Sequence, residues 1–290
     1  MAAFKEIKER IQSVKTTQKI TSAMKMVSAA KLNKAQKTIS GMLPYANALH
    51  HILRSVLAAG DDFYTPLAEE RTPERVAIIA FSSDSSLAGS FNSNIIKEFR
   101  KTVAAYEHLP KENILIYTVG KKIFEAARKS GYTVTRYFEG LAAKPDYNAM
   151  AAFTDELIDL FHRKAIDRVE VVYHHFKSAG AQTLTRERFL PLALLPAAGN
   201  AAAKQTQTNY LLEPAQTTVL DELLPKSLKL QLYTMLLDSN ASEHAARVIA
   251  MQTATDNADE LIGTLVIAYN KSRQQAITNE LLDMIGGTMK

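Results

Sequence analysis

The densest run of side chains able to do chemistry is Ser82-Ser83-Asp84-Ser85-Ser86-Leu87-Ala88-Gly89-Ser90-Phe91-Asn92. It follows the apolar run Val76-Ala77-Ile78-Ile79-Ala80-Phe81, and the carboxyl end of a strand is where an α/β sheet holds its ligand. A nucleotide or Mg²⁺ site is the chemistry such a loop would serve. It contains no G-x-G-x-x-G and no Gly-Lys-Ser/Thr, so no loop presents both a phosphate cradle and a neutralising lysine. The composition favours a turn and helix cap built from Ser, Asp and Asn. His174 and His175 are adjacent on an expected strand, point to opposite faces and cannot chelate one metal. His50 and His51 diverge in the same way on a helix, and His108, His162 and His244 are isolated. No Ser/His/Asp set, H-E-x-x-H or carboxylate pair is visible, which lowers the reading as an enzyme. With no cysteine in the chain, disulfides, thiolate metal sites and a thiol switch are excluded by inventory. No residue is assigned as catalytic, cofactor-binding or metal-ligating.

The elements around this loop are unusual at both ends. Up to Gly41 there is no Gly or Pro, and Phe4, Ile7, Ile11, Val14, Gln18, Thr21, Lys25, Ser28, Leu32, Ala35, Ile39 and Met42 keep a 3-4 spacing. This is a heptad rhythm with a polar middle. Ile20, Met24 and Val27 form an apolar stripe on an adjacent face, as expected of a helix that meets more than one neighbour. Pro44 is a possible kink, with the helix continuing to residue 59 before Gly60-Asp61-Asp62. After Pro225 the residues up to Ile285 hold one glycine, Gly263, and no proline, enough for a helix of about 90 Å. A compact chain of this length has a radius of gyration of about 19 Å, so such a helix is expected to project beyond the core. A lone helix would leave its apolar face in water, so the economical solution wraps the two terminal helices around each other, antiparallel if both leave one central domain. Ala241, Ala245, Ala246, Ala250, Ala254 and Ala258 permit close approach.

Between the ends, strand and helix alternate. Residues 76–81 and 114–119 read as strands covered on both faces. Residues 132–138 and 169–173 read as further strands, and 94–106, 121–130 and 147–164 as helices. This order implies parallel pairing with right-handed crossovers. Residues 182–189 alternate like an edge strand, and 197–208 read as a linker. The expected fold class is α/β: a Rossmann-like central domain over 74–196 plus an antiparallel coiled coil of an N-terminal helix (1–59) and a C-terminal helix (209–286).

The hydrophobic fraction of 47% supports a sizeable core, and the net charge of +5 is concentrated at the N-terminal end. Roughly ten Lys or Arg stand against two Glu from Lys5 to Arg54. Nucleic acid, an acidic protein surface or an anionic membrane face would each suit that charge. No single-strand or groove-reading pattern accompanies it, so nucleic acid is the weaker use. The opening residues carry charges where a signal peptide needs its apolar stretch, and no segment approaches the ~18 apolar residues of a membrane span. A soluble, cytoplasmic chain is expected.

Three blocks resemble the γ subunits of F-type ATP synthases. The stretch from Ile7-Lys8-Glu9-Arg10-Ile11 through Thr21-Ser22-Ala23-Met24-Lys25-Met26-Val27 is similar to that family's opening helix. The Ser83-Asp84 loop is similar to its S-D-R-G-L-C-G-G-F-N segment, with Ser85, Ser86, Ala88 and Ser90 in place of Arg, Gly, Cys and the second Gly. Ser242-Glu243-His244-Ala245-Ala246-Arg247-Val248-Ile249-Ala250-Met251, and Ala258 through Tyr269 to Glu280, match its terminal helix. The cysteine pair of light-regulated plant forms is missing. The resemblance implies a central rotor stalk, not itself catalytic and without a cofactor. It implies partners in the α and β subunits of an α3β3 hexamer, the ε subunit and the membrane c-ring, with one copy per complex at the cytoplasmic face of the bacterial inner membrane. By motif match, Met24, Arg247, Gln274, Thr278 and Glu280 are candidate contacts to the head, and Lys31, Lys34, Tyr210 and Glu213 candidate contacts to the c-ring. Met24 could equally be plain seam packing, Arg247 a partner of Glu243, and the two lysines solvated surface. The rival readings are a small-molecule or nucleotide-binding α/β protein and a basic coiled-coil nucleic-acid binder.

Overall fold

The β-branched and aromatic run Val76–Phe81 forms strand β1, and all six of its residues are buried. In this computed structural model, which describes residues 2–58, 65–192 and 215–288, β1 pairs in parallel with β2 (Ile114–Val119) and with β4 (Arg168–Ser178). Strand β3 (Val134–Phe138) adds in parallel to β2, and β5 (Ala181–Leu190) returns antiparallel to β4 as a hairpin. The order β3-β2-β1-β4-β5 places the topological switch between β1 and β4. Helices α2 (Phe91–Ala104), α3 (Lys121–Lys129) and α4 (Tyr147–His162) are the crossovers. The parallel core and the antiparallel edge strand over 182–189 follow the sequence expectation.

Alternation along β1 sorts the core into two layers. Val76, Ile78 and Ala80 join Ile95, Phe99 and Val103 of α2 and Ile123 and Ala127 of α3. Ala77, Ile79 and Phe81 join Met150, Phe153, Leu157 and Phe161 of α4, and Leu224, Leu228, Leu232 and Leu236 of the last helix, α5 (Gln216–Thr288). The same period of two separates the histidines of β4. His174 is buried and stacks on Phe91, with centroids 4.5 Å apart, while Nδ1 of His175 lies 2.5 Å from Oδ2 of Asp238 on α5. On the His174 side, Glu170 is buried and takes both Nε (2.5 Å) and Nη2 (3.0 Å) of Arg186 together with the Tyr106 hydroxyl. The forked guanidinium keeps this carboxylate paired where water cannot reach it.

The first helix, α1 (Ala2–Ala58), runs through Pro44 without a break. Pro44 is exposed, as is Ser40, whose carbonyl the proline leaves unbonded, so water can meet it. Helix α5 starts before Pro225, at Gln216, and holds that proline inside. Leu220, Leu224 and Leu228 are buried on both sides of Pro225, and their packing outweighs the local penalty. The chain divides into two compact units, Met1–Ala30 with Arg247–Lys290, and Lys31–Ala246. In the first, α1 pairs antiparallel with α5. In the second, Leu32 and Ala35 of α1 pack on Ala241 and Ala245 of α5. The expected linker over 197–208 lies outside the described residues.

Two measurements test this packing. Gly120 sits at φ +97°, and an added Cβ would stand 2.2 Å from the Ser82 carbonyl oxygen. Gly120→Ala is therefore expected to cost about 2–4 kcal/mol, read as a lower urea midpoint; an unchanged midpoint would refute the close approach. Burial lowers the His174 pKa from 6.5 to about 4. The unfolded chain binds this proton at a higher pH than the folded one, so the ring's contribution is full above pH 6.5 and is lost as pH falls toward 4. His174→Phe should remove about 2 kcal/mol of the stability difference between about pH 7.5 and about pH 5. Equal pH dependence in parent and variant would contradict the assignment.

Candidate functional site

Every position of the heptad series from Phe4 to Met42 is buried or half-buried, and most of the intervening residues are exposed. The matching series on α5 is Met251, Thr255, Ala258, Ile262, Leu265, Tyr269, Ser272 and Ala276, with spacings of four and three and the same burial. A sustained seven-residue repeat keeps one stripe of each helix facing the other. Phe4 stacks on Tyr269 with centroids 4.6 Å apart. Thr21 and Thr255 share a hydroxyl bond of 2.8 Å, Gln18 donates to Asp259, and Lys25 donates to Gln252. Gln252 in turn donates to Asp256 at 2.6 Å. The polar middle of α1 therefore faces α5 as rungs of a ladder, each donor meeting an acceptor.

Apolar side chains remain on the outside of this pair. Ile20, Met26 and Val27 of α1 are 55–64% exposed, so much of the apolar surface beside the seam is left uncovered by the described residues. Past Ala276, Ile277, Leu281, Leu282 and Met284 are exposed on α5 as well. Exposed apolar groups in this number, on two faces of one rod, mark surface built to be covered.

Of the candidate head contacts, Met24 is half-buried beside the seam, and its carbonyl accepts the Ser28 hydroxyl at 2.8 Å. Arg247 is buried. Gln274 and Thr278 are exposed one turn apart, the Thr278 hydroxyl bonding the Gln274 carbonyl at 3.0 Å. Glu280 lies on the same helix. All five belong to the unit made by the chain ends. Lys31 and Lys34 belong to the other unit and are exposed. Tyr210 and Glu213 lie outside the described residues.

The Ser82–Asn92 loop is bound into the fold. Asn92 Oδ1 accepts the Ser83 N–H at 3.2 Å and its hydroxyl at 2.9 Å. Ser82 Oγ accepts the Ile123 N–H at 3.0 Å. Helix α3 begins after Gly120, which has no side chain to cap it, and Asp84 supplies the cap from the neighbouring loop by accepting the Lys121 N–H at 3.0 Å. Ala88 is buried. The crevice lined by Phe81, Ser82, Ala142, Leu236, Ser239, Asn240 and Glu243 has no room even for a water molecule, far short of a typical small-molecule site. These contacts are those of a cap and turn.

Sequence reading missed the stretch of α5 from 235 to 245, where polar and apolar residues alike are buried. Without a polar face it leaves no periodicity to find.

Comparison with known proteins places these features. The family model described as ATP synthase matches residues 3–289. An ATP synthase gamma chain of Bacteroides fragilis is 52% identical over the full length of both chains, and one of Phocaeicola vulgatus 49% identical, again over both full lengths. Among solved structures, a chain of the Euglena gracilis mitochondrial ATP synthase (OSCP/F1/c-ring) superposes with a TM-score of 0.65 at 20% identity, covering 99% of this chain and 94% of that one. A chain of the central stalk and c-ring structure of the Tetrahymena thermophila mitochondrial enzyme gives 0.58 at 20% identity over 81% and 99%. A helix pair with a heptad seam, joined to a parallel sheet and matched in sequence from end to end, shows that the chain belongs to the ATP synthase gamma-chain family.

Proposed function

We infer that this chain is the central rotor stalk of an F-type ATP synthase, coupling ion-driven rotation of the c-ring to ATP synthesis or hydrolysis in an α3β3 head. The observation that carries the reading is the α1–α5 pair: a seam closed along its length, with apolar side chains left on the outside. An asymmetric shaft turning past three β subunits presents a different surface to each, and each β then favours a different nucleotide state through differential contact. The Met24, Arg247, Gln274, Thr278 and Glu280 set supplies contacts to α and β or to one another. Lys31, Lys34, Tyr210 and Glu213, with the sheet domain, serve the ε subunit and the c-ring, at one copy per complex. The domains divide as 1–59, 74–196 and 209–286.

The subunit performs no catalytic step. Supporting this, the loop at the strand ends spends its polar atoms on its own fold. Among the described residues no helix is long and apolar enough to cross a membrane, which suits a peripheral subunit at the cytoplasmic face of the bacterial inner membrane.

Gln274 and Thr278 are exposed, so their replacement tests contact without disturbing the fold. In reconstituted membranes, Gln274→Ala/Thr278→Ala should lower ATP-driven proton pumping by about twofold or more, the loss of one or two hydrogen bonds at the head. Because Arg247 is buried, Arg247→Gln is a gentler probe than charge reversal and should act in the same direction. Parent-level pumping in both variants, with the subunit folded and incorporated, would defeat these assignments; failure of the chain to co-purify with α, β and ε would defeat the stalk itself.

A further inference from the structure

Over about three turns of α5, residues 235–245, every residue is exposed by 8% or less. These residues belong wholly to the unit Lys31–Ala246. A helix enclosed on all sides usually shows an apolar circumference, yet this stretch contains Asp238, Ser239, Asn240, Ser242, Glu243 and His244.

The bonds it makes are directional. Asp238 Oδ2 lies 2.5 Å from Nδ1 of His175, and the Asp238 carboxyl also accepts the backbone N–H of Phe176. Four residues on, and roughly 40° away around the helix, the Ser242 hydroxyl donates to the His174 carbonyl at 3.2 Å. Asn240 lies between them, roughly 200° from Asp238, and its amide donates to the Ala142 carbonyl at 2.7 Å. Phe176 itself packs on Leu32, Ala35, Ala241 and Ala245. The helix is thus held from opposite sides, by the outer end of β4 and by the segment after β3.

Apolar packing resists separation but is indifferent to direction, so it tolerates small rotations of a helix in its socket. Hydrogen bonds weaken steeply with angle, and bonds on opposite sides of one helix oppose rotation in either sense. We propose that Asp238, Asn240 and Ser242 are positioning residues that fix the rotational phase of α5 within the sheet domain, so that torque applied to that domain reaches the helix without slip. This rests on the rotor reading above. It adds a collar, supplied by the chain itself, to the contacts with other subunits.

The test uses the whole complex. Ser242→Ala with Asp238→Asn keeps side-chain size while deleting one donor and one charge. The complex is expected to assemble and hydrolyse ATP, with protons pumped per ATP hydrolysed falling by about twofold or more. Ser242→Thr with Asp238→Glu, which restores hydroxyl and carboxylate, is expected to recover most of the ratio, which a merely space-filling role would not require. A parent-level ratio in the Ala/Asn variant overturns the collar and leaves the rotor reading standing. Pumping by the parent complex that is indifferent to loss of this chain overturns the rotor reading itself. If the double variant does not assemble, Asn240→Leu, which removes the donor to Ala142 at similar size and adds no charge, takes its place: a lowered ratio supports the collar and a parent-level ratio refutes it.

Discussion

A helix with one apolar stripe cannot stand in water alone, and in this protein two such helices from opposite ends of the chain satisfy each other. Leu32, Ala35, Ala241 and Ala245 meet within one unit, and Phe4 with Tyr269, Thr21 with Thr255 and Lys25 with Gln252 meet within the other. Because both stripes repeat every seven residues, contact is held over many turns. The polar rungs among them sacrifice some seam stability and in return require one register, since each donor meets its acceptor only there.

The sheet domain is built by different rules. Its parallel strands are buried on both faces, and the alternation along β1 and β4 sends successive side chains into two separate layers. That alternation also sends His174 and His175 to opposite sides, one against Phe91 and the other to Asp238. The loop after β1 occupies the place of a ligand site in such folds, and here it joins α3 to the sheet through Asp84 and Ser82.

How much of this could be read from residues alone depended on whether burial left a period behind. The seam did: Phe4 through Met42 were legible because one face is buried and the rest is wet, and the strands were legible as short apolar runs between turn signals. The last helix is expected over 209–286 although its unbroken run is counted only from Pro225, and buried leucines on both sides of that proline carry the helix across it. Asp238, Asn240 and Ser242 were illegible for the opposite reason. Enclosed all round, they produce no amphipathic contrast, and their partners at 142 and 174–176 are distant in sequence. The candidate contacts on the exposed surface came from family likeness, because exposure alone does not distinguish a docking residue from a solvated one.

The sequence separation within the seam has a consequence for biosynthesis. Gln18 and its partner Asp259 are 241 residues apart, so the first helix leaves the ribosome long before its mate exists. Through that interval it has no partner for its apolar stripe, and domains emerging N-terminal first risk aggregation while apolar surface is bare. The hydrophilic centre of the stripe and the lysines around it shorten the bare apolar segment and set like charges between nascent copies. Features that cost the finished rod some cohesion thus protect it while it waits to be completed.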